Sequence, residues 1–297
     1  MKVNGIVQGV GFRPFVFQLA QKYGLRGEVA NTSSGVSIHV EGLAEHVTSF
    51  ETDLATEAPP LAYVVDISSQ TQTVKHYADF AIVKSQGESE MSTLISPDVS
   101  VCDDCLAELL DPGDRRYRYP FINCINCGPR YTIIDDIPYD RPKTSMRHFN
   151  MCGPCQAEYD DPANRRFHAQ PNACDDCGPH VGLFENRKNE IGNQDPIAKA
   201  VELLKQGNIL AIKGLGGYHL AADATNTDAV MRLRRRKFRE EKPFAIMSAD
   251  LATICRYAVV NSEEEQLLAS IRRPIVLLRK KTPNLISDQV APRNNYF

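Results

Sequence analysis

Along residues 1–88 the apolar positions switch between the two-residue period of a strand and the three-and-four spacing of a helix face. KVNGIVQ reads as a short strand. After a glycine-rich turn, Phe12, Phe15, Val16, Leu19, Ala20 and Tyr23 share one helical face, and Gly24 stands where a helix end favours a left-handed residue. RGEVAN and GVSIHVEG predict paired strands around residues 32–35, and Leu43, Val47, Phe50 and Leu54 predict a second amphipathic helix. AYVVDISS and FAIVKS supply closing strands. The order β-α-β-β-α-β predicts a ferredoxin-like unit built on a split βαβ.

Residues 89–190 lose that periodicity and become rich in Cys, Pro, Asp and Arg. The segment is duplicated: Cys102, Cys105, Cys124 and Cys127 recur 50 residues later as Cys152, Cys155, Cys174 and Cys177. Arg115-Arg116-Tyr117 recurs as Arg165-Arg166-Phe167, and Gly128-Pro129 as Gly178-Pro179. Over residues 191–297 periodicity returns. DPIAKAVELLKQG and TDAVMRLRRRKFREE predict helices, NILAIKG a buried strand, and FAIMSA and PIVLLRK further strands, as in an α/β domain. The chain stops in VAPRNNYF without a closing element, so this last domain is expected to be incomplete. The fold class is α+β multidomain, with proposed parts 1–88, 89–190 and 191–297.

Composition narrows the chemistry. At 297 residues, 42% apolar and 24% charged, the chain is globular rather than disordered. A net charge of −3 argues against a protein coating nucleic acid as a whole. No run reaches a membrane span, and MKVNGIVQ does not resemble a signal peptide, so a cytoplasmic location is expected. Eight of the nine cysteines form four Cys-x-x-Cys pairs, which in a reducing compartment point to metal rather than disulfides. Two copies of Cys-x2-Cys-x18-Cys-x2-Cys match four-thiolate structural zinc sites, two ions in all, with no position left open for catalysis. Each repeat closing on its own ion is favoured by shorter loops, by only about 1 kcal/mol. A nested pairing therefore stays open. Cys255, unpaired, is expected in a core.

The turn GIVQGVGFRP leads from a strand into a helix, where backbone N–H groups form an anion cradle and the Arg13 guanidinium can grip phosphate oxygens in a bidentate fork. Asn31, at the end of the next strand, is either a turn residue or one that orients a water. GIVQGVGFRPFVFQLAQKYGLRGEVAN with GVSIHVEG resembles the acylphosphatase signature. That resemblance implies a phosphate-binding loop of Gln8, Gly9, Val10, Gly11 and Phe12, a phosphate-gripping Arg13 and a water-orienting Asn31.

The basic stretch MRLRRRKFREEKPFAIM follows the glycine-rich KGLGGYHLAADATN, which lacks a Walker loop. It reads either as a solvated helix face or as a nucleotide site, with Val230 and Leu233 toward the core and Arg234 and Arg235 in solvent. The stretch is similar to the YrdC/Sua5 family, whose ATP-binding residues fall on Lys237, Arg239 and Lys242; the spacing to Lys242 is one residue shorter than in stand-alone members.

Acylphosphatase unit, twin four-cysteine modules and YrdC-like domain in this order resemble the HypF-type carbamoyltransferases of [NiFe]-hydrogenase maturation, as do RRYRYPFINCINCGPRYTII, PYDRPKTSM and RRFHAQPNAC. Members of that family continue into a Kae1-like domain. The resemblance implies a relay. Carbamoyl phosphate is hydrolysed at Arg13 and Asn31; ATP and Mg²⁺ convert the carbamate to carbamoyl-AMP; the carbamoyl group then passes to the C-terminal cysteine of a partner, HypE, on the way to a cyanide ligand. Two other readings stand beside it: a zinc-ribbon module binding nucleic acid through the basic helix, and a plain acylphosphatase with accessory domains.

Overall fold

The computed structural model describes residues 1–85, 94–185, 189–191, 195–214 and 216–297. The boundary expected at 88/89 lies outside the described residues. The chain divides into two compact units, Met1–Pro179 and His180–Phe297.

In the first unit β1 (Lys2–Ile6), α1 (Phe12–Lys22), β2 (Arg26–Thr32), β3 (Gly35–Glu41), α2 (Ala44–Thr56), β4 (Tyr63–Ser68) and β5 (Phe80–Ile82) follow the expected order. The sheet runs β4-β1-β3-β2-β5, antiparallel except for β5, which lies parallel to β2. Helix α1 buries Phe12, Val16, Leu19 and Ala20 against Val3, Val29, Ile38, Phe50 and Leu54. Fully burying each such side chain contributes about 1.5–3 kcal/mol. Gly24, at φ +61°, ends α1 as expected. Leu43 differs from its expected role: it caps α2 from outside and is exposed, because the helix begins one residue after it.

Helices α3 (Asp103–Leu110) and α4 (Gly153–Asp160) open the two repeats, each starting directly after the first cysteine of its repeat. Apart from them this region holds short 3-10 turns, and its core is small: Tyr119, Ile122, Met146 and Ala173 around buried cysteines. Few apolar residues are available here, so thiolate and arginine contacts carry the packing.

The second unit contains β6 (Phe184–Glu185), β7 (Asn189–Glu190), α5 (Pro196–Lys205), β8 (Leu210–Lys213), β9 (Tyr218–Ala221), α6 (Thr227–Lys237), α7 (Leu251–Tyr257), β10 (Ala258–Val259), α8 (Ser262–Ala269) and β11 (Arg279–Lys280). Here the strand expectations need correction. β8 exists but among the described residues pairs only with β9 and is mostly exposed, since a two-stranded ribbon leaves much of both faces open. FAIMSA forms no strand, and of PIVLLRK only Arg279–Lys280 pairs, with β10. Both segments instead make isolated bonds, Phe244 N–H to the Val290 carbonyl and Leu278 N–H to the Phe297 carbonyl. Cys255 is exposed rather than in a core, being placed on the open side of α7.

Candidate functional site

Gly9 and Gly11 take left-handed backbone conformations, φ +71° and +76°, which only glycine adopts without cost. They let the turn Gln8, Gly9, Val10, Gly11, Phe12 fold tightly between β1 and α1. Val10 and Phe12 point into the core. Gln8 donates from Nε2 to the carbonyls of Thr32 and Gly35 at 2.7 and 2.8 Å, tying the turn to the β2–β3 hairpin. Gly11 is the N-cap of α1 and no side chain caps that end, so first-turn N–H groups remain available to an anion.

Arg13 is only 8% exposed. Its Nη1 donates to Asp140 Oδ1 at 2.9 Å and its Nη2 to the Tyr139 carbonyl at 3.4 Å. Asn31, fully buried, donates from Nδ2 to the same carbonyl at 3.0 Å. The two residues singled out in the sequence therefore converge on one backbone oxygen. A carbonyl only accepts, so the Asn31 amide nitrogen must face it and Oδ1 faces away. That Oδ1 is buried without a hydrogen-bond partner. On the other side of the turn, Arg130 donates from Nε to the Gly9 carbonyl and from its Nη atoms to the carbonyls of Cys124, Ile125, Cys127 and Pro129 at 2.8–3.1 Å.

A cavity of about 20 Å³ lies between these groups, lined by Gly9, Gly11, Arg13, Arg130, Tyr139 and His168. It has room for about one water. Burial, aided by the Arg13 charge, pushes the His168 imidazole down to about 4, so it is neutral near pH 7. Sequence reading did not single out Arg130, Tyr139, Asp140 or His168. Tyr139 and Asp140 stand more than 120 residues from Arg13, and no local pattern announces that they meet it.

The cysteines fall into two clusters, Cys102, Cys105, Cys124 and Cys127, and Cys152, Cys155, Cys174 and Cys177, each with Sγ atoms within 4.8 Å of one another. Sγ separations include 3.7 Å for Cys102–Cys124, 3.8 Å for Cys124–Cys127, 3.7 Å for Cys152–Cys174 and 3.6 Å for Cys155–Cys177. A tetrahedron with Zn–S near 2.3 Å has edges of about 3.8 Å. Both clusters thus fit a zinc ion, and the pairing left open by the spacing is resolved: each repeat closes on itself. Four thiolates on Zn²⁺ would carry a net charge of −2, and arginines from the opposite repeat lie against each cluster. Arg115 Nη2 is 3.3 Å from Cys155 Sγ, and Arg165 Nη1 is 3.0 Å from Cys105 Sγ.

In the second unit Lys237 is the last residue of α6 and is exposed, as is Lys242. Arg239 donates from Nε to the Lys242 carbonyl at 3.0 Å and from Nη2 to the Pro243 carbonyl at 2.5 Å, with its guanidinium over the Phe244 ring. Val230 and Leu233 are buried as expected and Arg235 is exposed. Arg234 is not on the solvated face. It is 6% exposed and donates to the carbonyls of Gln289, Arg239, Glu240, Lys242 and Val290, because the chain after α6 folds back over it. Within the glycine-rich stretch KGLGGYHLAADATN that precedes the basic helix, residue 215 lies outside the described residues.

A ferredoxin-like sandwich with an arginine and an asparagine meeting beside a glycine turn, joined to twin four-cysteine modules, defines a composite α+β protein of the acylphosphatase type. The family described as Acylphosphatase matches residues 1–82, the HypF finger matches 101–134 and 151–184, and the Sua5/YciO/YrdC family, described as Telomere recombination, matches 202–297. Carbamoyltransferase HypF2 of Cupriavidus necator is 54% identical over 95% of this chain and 35% of its own length. Carbamoyltransferase HypF of a Synechocystis species is 48% identical over 99% of this chain and 38% of its own. A crystal structure of full-length HypF in a phosphate- and nucleotide-bound form superposes with a TM-score of 0.92 at 50% identity, covering 100% of this chain and 38% of that one. Over 95–100% of its length the chain is similar to these HypF carbamoyltransferases, and it spans little more than a third of their length. Among the described residues, no helix is long and apolar enough to cross a membrane.

Proposed function

We propose that this chain hydrolyses carbamoyl phosphate and activates the resulting carbamate with ATP, as part of a hydrogenase-maturation carbamoyltransferase. The observation that carries the reading is the convergence of Arg13 and Asn31 on the Tyr139 carbonyl, at 3.4 and 3.0 Å, beside an uncapped helix end. In this reading the N–H groups of the turn and the Arg13 guanidinium bind the phosphoryl oxygens. The unpartnered Asn31 Oδ1 accepts a hydrogen bond from the attacking water. The water oxygen bonds to phosphorus as the bond from phosphorus to the carbamoyl oxygen breaks, giving carbamate and dihydrogen phosphate, which keeps both water protons.

Carbamate oxygen then attacks the α-phosphorus of ATP and pyrophosphate leaves, giving carbamoyl-AMP. Lys237, Arg239 and Lys242 are proposed to hold the phosphates. Exposed ammonium groups on Lys237 and Lys242 support this, as does the Arg239 guanidinium, whose Nη1 meets no carbonyl among the described residues. Mg²⁺ on the nucleotide would supply charge neutralisation of the leaving pyrophosphate. Transfer to the C-terminal cysteine of HypE is the proposed fate of the carbamoyl group. The eight clustered cysteines are proposed as ligands of two structural zinc ions, the parts 1–88, 89–190 and 191–297 as the working domains, and the cytoplasm, where thiols stay reduced, as the location.

Pyrophosphate exchange into ATP tests the relay, because only carbamate activation makes exchange depend on carbamoyl phosphate. Phosphate release without such exchange would leave a plain acylphosphatase. Salt-sensitive RNA or DNA binding in its place would favour the nucleic-acid reading.

A further inference from the structure

Three hydrogen bonds tie the Tyr139–Asp140 dipeptide, which lies between the two four-cysteine repeats, to the turn and strand that hold Arg13 and Asn31. The Tyr139 N–H donates to Gln8 Oε1 at 2.9 Å, the Tyr139 carbonyl accepts from Asn31 Nδ2 at 3.0 Å, and Asp140 Oδ1 accepts from Arg13 Nη1 at 2.9 Å. Each bond settles something the acylphosphatase-like unit leaves open by itself. A guanidinium on a long side chain has many rotamers, and holding one costs entropy unless a partner fixes it. Among the described residues, Asp140 is the one carboxylate paired with Arg13. An asparagine amide can sit in either of two flips; the Tyr139 carbonyl selects the one that leaves Oδ1, the acceptor, to the remaining space. Gln8, anchored on Thr32 and Gly35, in turn fixes the height of Tyr139 above the turn.

We propose that Asp140 is a positioning residue for acyl phosphate cleavage, holding Arg13 in the rotamer that meets the phosphoryl group while the adjoining Tyr139 carbonyl orients Asn31. The inference rests on the reading of Arg13 and Asn31 as the hydrolytic pair. It makes the site a composite of two parts of the chain: residues 1–82 supply the groups that touch substrate, and the segment between the zinc modules supplies the groups that aim them. One oxygen of Asp140 on one guanidinium nitrogen leaves other N–H groups of Arg13 to the substrate. Because the carboxylate also opposes the charge of an incoming phosphate, it favours orientation at some expense of affinity. This gives the role a kinetic signature that a merely structural residue lacks.

The test is steady-state hydrolysis of carbamoyl phosphate and of acetyl phosphate by the whole zinc-loaded chain carrying Asp140→Ala, Asp140→Asn or Arg13→Ala, with zinc content and thermal unfolding measured alongside. Asp140→Ala is expected to lower kcat about tenfold or more, the scale of one lost charge-assisted hydrogen bond, with KM unchanged or lower. Asp140→Asn, whose amide oxygen still accepts from Arg13, is expected to keep kcat within about threefold. A rise in kcat for Asp140→Ala would overturn the proposal, since the carboxylate would then be blocking Arg13. Equal kcat in all Asp140 variants, or a parallel loss of kcat and zinc, would overturn it as well. Arg13→Ala separates the two levels: if it retains hydrolysis, the reading of the site itself fails, whereas an inactive Arg13→Ala beside an unaffected Asp140→Ala removes the positioning role alone.

Discussion

The Arg116 guanidinium lies 2.5 Å from the Glu158 carboxylate and so joins the first four-cysteine repeat to the second. Arg166 returns the contact to Glu108, and the backbone follows the same symmetry: Arg116 Nε donates to the Ala173 carbonyl and Arg166 Nε to that of Asn123. Both arginines are almost completely buried. Burial alone would raise the Glu158 carboxyl, but the Arg116 and Arg115 guanidiniums outweigh it and hold it at about 2. Removing one partner of such a pair strands the other charge. Glu158→Ala is therefore expected to destabilise the zinc-loaded chain by about 3–5 kcal/mol in denaturant unfolding. A loss below about 1 kcal/mol, the range of an exposed pair, would contradict this.

Metal content follows from the two clusters. Elemental analysis should give two zinc ions per chain, and Cys124→Ser should lose the first while weakening retention of the second, because Arg115 and Arg116 of the first repeat brace the Cys155–Glu158 side of the second. Strong chelators should unfold the region, since structural zinc binding is folding free energy. A chain that keeps its circular dichroism after losing both ions would contradict the assignment.

His168 gives a pH dependence with a defined sign. Its folded value of about 4 lies below the ordinary 6.5, so the unfolded chain takes up a proton first as the solution is acidified. Its contribution to stability is complete above pH 6.5, declines as pH falls from there to about 4, and is flat below. The total loss is about 3 kcal/mol at 1.36 kcal/mol per unit. His168 has φ +52°, a conformation asparagine also tolerates. His168→Asn should accordingly flatten the acid limb of the stability curve without disturbing the backbone. An unchanged slope would show that other groups govern it.

The basic segment separates by position. Lys237→Glu and Lys242→Glu are expected to weaken ATP binding about ten- to a hundredfold, as for lost charge-assisted phosphate contacts, while Arg235→Glu changes it little. Calorimetry on the folded variants measures this. Arg234 is no solvated control, because five carbonyls depend on its guanidinium; its reversal should lower stability instead. Equal affinity losses at Lys237, Lys242 and Arg235 would indicate a diffuse basic patch.

The sequence was most informative where a local rule decides the outcome. Strand and helix periods located β1 through α2, glycine chemistry located the turn and the end of α1, and Cys-x-x-Cys spacing located both four-cysteine clusters. What escaped it was distant in sequence or lacked a pattern. Nothing near Asp140 signals that it pairs with Arg13, and a run of four arginines and lysines gives no sign that Arg234 alone turns inward. FAIMSA and PIVLLRK carry the apolar composition of strands, yet strands exist only where a neighbour completes the ladder, and that is decided by tertiary pairing.

Inorganic phosphate release from carbamoyl phosphate, compared between the unaltered chain and Arg13→Lys, decides whether the Arg13 fork grips the phosphoryl group. Lysine keeps the charge but loses the planar fork that meets phosphate oxygens in pairs. Turnover is expected from the unaltered chain, with a loss of about a hundredfold or more in Arg13→Lys, the scale set by one transition-state donor, and with zinc content and circular dichroism retained. Turnover in Arg13→Lys close to that of the unaltered chain would contradict this.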